Sequence, residues 1–197
     1  MAVDAILFDL DGTLWKGNDW YAELLSNYLI KDRIEIQVRL TSGERILDLA
    51  CSLGLSRAKL ISLCLARTRD LVLYDGVLET LQELSSAGVR LGVVTSAVPK
   101  IALACLQDLN VSQYFQAICH PGVMHATKPS PAPLLWALGQ MNVRPSHSVY
   151  MIGDSYDDMV SARRANVSFA WASYGYGRLD TEAQVPRVSS FREVANL

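Results

Sequence analysis

The sequence predicts an α/β protein built on a parallel sheet, with an all-helical segment inserted after the first strand. Two observations carry this reading. Short apolar runs of β type alternate with longer stretches of helical spacing through most of the chain, and alternation of this kind implies parallel strands joined by right-handed crossovers. One stretch, from about Trp15 to Tyr74, breaks the rhythm and carries helix signals without a convincing strand.

The predicted strands are Ala5–Leu10, Val89–Thr95, Ala117–Cys119, Ser148–Ile152 and Ser168–Ala172. Between them Ala97–Leu109 is helical by pattern, and Pro131–Met141 opens with Ser130 as N-cap and a proline at the first helical position. Ser155–Ala165 is a further helix, closed by Asn166, which tolerates the left-handed cap conformation. Inside the insertion Tyr21, Leu24, Leu25, Tyr28 and Leu29 recur at one-face helical spacing. A second helix is expected to open on a capping box, Thr41-x-x-Glu44, and to stop at Gly54. A third is expected from near Ser56 to Val72. The predicted organisation is a core of residues 1–14 and 76–197 and a helical domain of residues 15–75, with its hinge at the two crossings near Leu14 and Asp75-Gly76. The last residues, Gln184–Leu197, read as a short closing segment.

Composition narrows the function. The chain has 197 residues, 50% hydrophobic and 19% charged, enough to bury a real core. Eighteen basic side chains against 20 acidic ones, with a pI of 5.9, remove the footprint of a general nucleic-acid or anionic-membrane binder. No apolar run approaches the roughly 20 residues of a membrane span. Cys51, Cys64, Cys105 and Cys119 form no C-x-x-C pair and no zinc spacing, so they read as buried small hydrophobes in a reducing compartment. The expected protein is cytoplasmic, a monomer or small homo-oligomer.

The chemistry lies at the strand ends. Phe8-Asp9-Leu10-Asp11-Gly12-Thr13-Leu14 closes the first strand with two carboxylates two residues apart. The second strand ends in Thr95-Ser96, the fourth in Gly153-Asp154-Ser155-x-x-Asp158, and Thr127-Lys128-Pro129 lies between them. Each motif has an ordinary reading by itself. Asp11-Gly12 makes a turn, Thr95 or Ser96 caps a helix, Lys128 is a loop lysine, and Asp157-Asp158 complements a helix dipole. Their occurrence in order at successive carboxyl ends of parallel strands, where α/β sheets place ligands, points to a site.

These motifs, Asp9-x-Asp11-Gly12-Thr13, Thr95-Ser96, Lys128-Pro129-x-Pro131 and Gly153-Asp154-Ser155-x-x-Asp158, resemble those of haloacid dehalogenase-superfamily hydrolases, in the phosphoglycolate phosphatase-like branch. The resemblance covers nearly the whole chain. It implies a Rossmann-like core with a small helical cap after the first strand, and a phosphatase acting on a small phosphorylated metabolite. It makes Asp9 the nucleophile, Asp11 the general acid/base, and Thr95 and Lys128 the holders of the phosphoryl group. It places magnesium at the site, with Asp9 and Asp154 as direct ligands and Asp158 acting through water or as support. Asp11 joins the metal set through a backbone carbonyl, its own or that of Leu10. Leu10, Ser96, Lys16 and Arg45 are the candidate substrate contacts, Arg45 for a carboxylate or second phosphate. Trp15 and Trp20 are candidates of the same kind, although packing explains both. His120 and His125 are unusual ahead of the motif lysine and either touch substrate or serve the loop.

The residue types fit that chemistry. A carboxylate nucleophile splits phosphoester hydrolysis into two easier steps. Its negative charge repels an anionic substrate, so a lysine and a hard divalent cation are needed beside it. A second carboxylate moves the protons. Halide expulsion needs no proton, so Asp11 argues against dehalogenation. A phosphomutase with the same core and a non-catalytic phosphate binder are the alternatives, and the latter would have lost one of these side chains.

Overall fold

The computed structural model describes residues 3–179 and 185–197, so the predicted closing segment begins, at Gln184, outside the described residues. Six strands form one wholly parallel sheet: β1 (Ala5–Phe8), β2 (Arg90–Val94), β3 (Ala117–Cys119), β4 (Val149–Gly153), β5 (Ser168–Ala172) and β6 (Arg187–Val188). Their order is β3-β2-β1-β4-β5-β6. This is a Rossmann-like sheet, in which the chain steps outward from β1 to β3 and then returns to the other side of β1.

β1 is central and buried along its whole length, as suits a strand covered on both faces. Its alternate residues divide the core. Ile6 and Phe8 face the layer formed by α5 (Val77–Ser86), α6 (Pro99–Asp108) and the inserted helices, whereas Ala5 and Leu7 face α7 (Ala132–Gln140) and α8 (Tyr156–Ala165). The insertion itself comprises α1 (Gly17–Leu29), α2 (Arg33–Thr41), α3 (Ile46–Ser52) and α4 (Arg57–Leu65). Among the described residues no helix is long and apolar enough to cross a membrane.

Five expectations need correction. The first strand ends at Phe8 rather than Leu10, because the Leu10 carbonyl is spent on the turn that follows, accepting from Thr13, Leu14 and Trp15 N–H. Thr41 caps no helix. It ends α2, which the sequence reading omitted, and donates its hydroxyl to the Gln37 carbonyl, while Glu44 binds Arg39 through both oxygens at 2.7 Å. The helix expected from near Ser56 to Val72 is α4, which stops at Leu65, after which a single 3-10 turn at Thr68–Asp70 leads out. Cys51 is exposed, although the other three cysteines are buried. The insertion is also not wholly strand-free. Trp15 and Leu73 form an antiparallel bridge, flanked by Lys16 N–H to Val72 O (2.9 Å) and Tyr74 N–H to Leu14 O (3.0 Å). The two crossings are therefore hydrogen-bonded to each other. Two core elements, α5 and β6, carried no assignment from sequence.

Candidate active site

The register brings the motifs to one edge. Phe8 lies level with Val93 on one side and Ile152 on the other, so Asp9, Thr95 and Asp154 follow their strands at the same carboxyl end. Asp9 N–H still donates to Ile152 O at 3.0 Å, which extends the ladder far enough to fix the backbone of Asp9.

Lys128 organises the centre. Its ammonium lies 2.5 Å from Asp9 Oδ1 and 2.6 Å from Asp158 Oδ1, with the lysine side chain 5% exposed and that of Asp158 fully buried. Burial by itself would lower the lysine's proton affinity. The carboxylates of Asp158 and Asp9 outweigh it and hold Lys128 above the usual lysine range. Asp158 is fixed from its other oxygen, since Oδ2 accepts from Ser155 N–H (3.1 Å) and Ser155 Oγ (2.6 Å) in the capping box of α8. The same residue thus starts a helix and anchors the lysine.

A loop that the sequence reading did not single out holds Asp154. Tyr176 and Gly177 donate backbone N–H groups to Asp154 Oδ2 at 2.8 and 2.9 Å. A Cβ on Gly175 would lie 2.3 Å from the Gly12 carbonyl oxygen, and one on Gly177 would lie 2.2 Å from the carbonyl oxygen of Asp154, so this approach is open only to glycine. The Tyr176 hydroxyl donates to Asp19 Oδ2 on α1 at 3.1 Å, tying the loop to the inserted helices.

Asp9, Asp154 and Asp158 each offer an oxygen within 4.8 Å of the others. Burial, with its carboxylate neighbours, pushes Asp9 up to about 8 in spite of Lys128. Burial, with Asp158 beside it, pushes Asp154 up to about 6 in spite of the two N–H donors. With all three carboxyls ionised, as metal ligands must be, one ammonium would leave an excess of two negative charges. An all-oxygen donor set with that excess fits a hard divalent cation.

The remaining candidates separate. Asp11 turns away from this cluster, and its Oδ1 accepts from Trp15 Nε1 at 2.7 Å. Burial raises its proton affinity, tempered by that hydrogen bond and by Lys128. Thr95 is buried, with Oγ1 accepting from Ala97 N–H at 3.0 Å, and Ser96 is exposed. The Leu10 side chain is wholly in the core, so only its backbone faces the turn. The Lys16 ammonium lies 5.7 Å from the Tyr74 ring centroid and borders a cavity of about 440 Å³ that Asp19, Tyr174 and Tyr176 also line. Arg45 is not brought to the carboxylates by any contact among the described residues. Its side chain is 80% exposed and paired with Asp48 at 2.7 Å. His120 serves its own loop, where Nδ1 accepts from Gly122 N–H at 3.0 Å, and His125 is exposed. Trp20 donates Nε1 to the Arg67 carbonyl at 3.1 Å, a packing role.

Residues 6–172 match the profile of the haloacid dehalogenase-like hydrolases. The chain belongs to that family. It is 32% identical to a phosphoglycolate phosphatase of Colwellia psychrerythraea, over 88% of this chain and 85% of the relative. It is 36% identical to one from Nitrosococcus oceani over 64% of this chain, a match that spans only 56% of that relative. Among solved structures, a HAD phosphatase from Thermococcus onnurineus superposes with a TM-score of 0.71 at 22% identity, covering 100% of this chain and 97% of the other, which supports the fold. As a hydrolase of this family the protein has its strand-end carboxylates and lysine gathered in one buried cluster.

Packing around that cluster leaves little slack. A Cβ at Gly153 would lie 2.4 Å from Asp158 Cγ. Gly153→Ala is therefore expected to destabilise the fold by about 1–3 kcal/mol through overpacking, read as a lowered urea midpoint. An unchanged midpoint would mean that Asp158 moves freely, against its three bonds.

Proposed function

We propose that the protein is a magnesium-dependent phosphatase that hydrolyses a small phosphorylated metabolite through an aspartyl-phosphate on Asp9. The observation that carries this is Lys128, a buried ammonium shared by Asp9 and Asp158 beside a third carboxylate, Asp154. Names of relatives that are phosphoglycolate phosphatases support the reaction class.

Asp9, Asp154 and the Asp11 carbonyl would hold the cation directly, since the Leu10 carbonyl is already taken by three N–H groups of the turn. Asp158, with both oxygens engaged by Lys128 and Ser155, supports the site from behind. Bound there, magnesium neutralises the charge of the transferring phosphoryl group. Asp9 attacks phosphorus, the bond to the ester oxygen breaks, and Asp11 gives that oxygen its proton. Asp11 then removes a proton from water, which attacks the phosphorus, frees inorganic phosphate and restores the Asp9 carboxylate. Lys128 holds Asp9 in place and meets the phosphoryl oxygens, with the Thr95 hydroxyl beside it. Residues 15–75 act as a cap domain that admits substrate and then excludes bulk water.

The test is phosphate release from a panel of phosphorylated metabolites with and without divalent metal. Activity is expected to need the cation and to vanish reversibly in excess chelator, because the uncompensated carboxylates repel the substrate. Full turnover in chelator would falsify the magnesium assignment.

A further inference from the structure

The crossing from β1 into the inserted helices carries a side chain that the reaction above does not yet use. Trp15 is 2% exposed, and its indole N–H lies 2.7 Å from Asp11 Oδ1. We infer that Trp15 is a positioning residue that fixes which oxygen of Asp11 carries the proton exchanged with the leaving group, an inference that rests on the aspartyl-phosphate reading.

The argument begins with donor chemistry. An indole N–H donates and cannot accept, and a buried one must find an acceptor. At Trp15 that acceptor is Asp11 Oδ1. The hydroxyl oxygen of a carboxylic acid is a much poorer acceptor than its carbonyl oxygen, so the indole N–H on Oδ1 favours the form of neutral Asp11 that carries its proton on Oδ2. Oδ1 is enclosed from a second direction, since a Cβ at Gly17 would lie 1.8 Å from it. A bare Cα and an N–H together hold one carboxylate oxygen and leave the other to do the proton transfer.

Trp15 is itself held firmly enough for this. Its carbonyl accepts from Gly12 N–H at 3.0 Å, its N–H donates to the Leu10 carbonyl at 3.3 Å, and it forms the antiparallel bridge to Leu73. The indole therefore belongs to the hydrogen-bonded pair of crossings and not to a loose loop. The arrangement also keeps the Asp11 side chain out of the group formed by Asp9, Asp154 and Asp158. A fourth carboxylate free to swing into that group would compete as a metal ligand and be lost as a proton donor.

A role in proton delivery has a signature that mere support lacks: it depends on how much the leaving group needs a proton. Phenyl phosphate and p-nitrophenyl phosphate have nearly the same shape, but phenolate is a much poorer leaving group than nitrophenolate. The experiment compares kcat/KM for the two esters, which reports steps up to phosphorylation of Asp9, in the wild-type protein and in Trp15→Phe. A second protein carries benzothienylalanine at position 15, which keeps the indole's shape and replaces the N–H by sulfur, so the test survives if the phenylalanine variant fails to fold. The phenyl to p-nitrophenyl ratio is expected to fall by about 10-fold, the worth of one hydrogen bond to a charged group, while p-nitrophenyl phosphate itself loses less than about 3-fold. A ratio that stays constant, whether both rates fall together or neither falls, overturns the inference. Failure of the parent reading looks different, since the wild-type protein would then release phosphate from neither ester.

Discussion

Asp9→Asn is expected to eliminate phosphate release while leaving the fold intact, whereas Asp11→Asn is expected to slow it by about 10²–10⁴, the usual worth of a general acid/base. Asp9 forms the bond to phosphorus in the proposed reaction, and an amide there is no nucleophile. Asp11 only moves protons, so its variant should retain more activity on esters with good leaving groups. The two substitutions also differ in their structural setting. Asp9 shares Lys128 with Asp158 and sits among carboxylates, so neutralising it lowers the excess negative charge and leaves Lys128 paired at 2.6 Å to Asp158. Thermal unfolding of Asp9→Asn in chelator should therefore give a midpoint no lower than that of the wild type. Equal residual activity in the two variants would overturn the assignment of roles.

Lys128→Met is expected to cost both activity and stability. The ammonium is the only cation ion-paired with Asp9 and Asp158 among the described residues, and it is itself buried. Removing one partner of a buried ionic group strands the others, at a cost of about 3–5 kcal/mol. Urea unfolding in chelator measures that loss. Magnesium should restore part of it, because a bound divalent cation supplies positive charge to the same carboxylates and binds the folded state alone. A loss below about 1 kcal/mol in chelator would mean that the pocket compensates for its carboxylates in another way.

The parts of this site that were legible in sequence are those where side-chain chemistry repeats at strand ends. Asp9, Asp11, Lys128, Asp154 and Asp158 stand out because turn residues with carboxylates or lysine follow apolar runs. The loop around Tyr176 was not legible, because it acts through backbone N–H groups, which every residue but proline possesses. Its only trace is Gly175 and Gly177 bracketing an aromatic residue just beyond a strand. The inserted helix α2 was hidden for a different reason. In Arg33–Thr41 the apolar residues Ile34, Ile36, Val38 and Leu40 alternate with polar ones, the period of a strand. Tertiary packing decided otherwise. Ile36 and Leu40, four apart, are buried, while Ile34 and Val38 stand 71% and 59% exposed, and Asp32 caps the helix by accepting from Ile34 N–H. Arg45 shows the converse, since a plausible anion contact by residue type is spent on Asp48 three residues away.

The position of β1 has a consequence for how the protein is made. Of the six strands of the sheet the central one, β1, is synthesised before the other five, and its partners are Arg90–Val94 and Val149–Gly153. Pairings this distant in sequence form slowly, because the intervening chain must be ordered before they hold. The apolar run Ala5–Phe8, with the proposed nucleophile Asp9 behind it, thus waits for its neighbours until Val149–Gly153 has been made, while the inserted helices need only local contacts. The nascent chain should be most open to chaperones, and most prone to aggregate, until β4 has emerged. On this strand order Asp9, the proposed nucleophile, is made well before Lys128, Asp154 and Asp158, and the cluster closes only once β4 and α8 are in place.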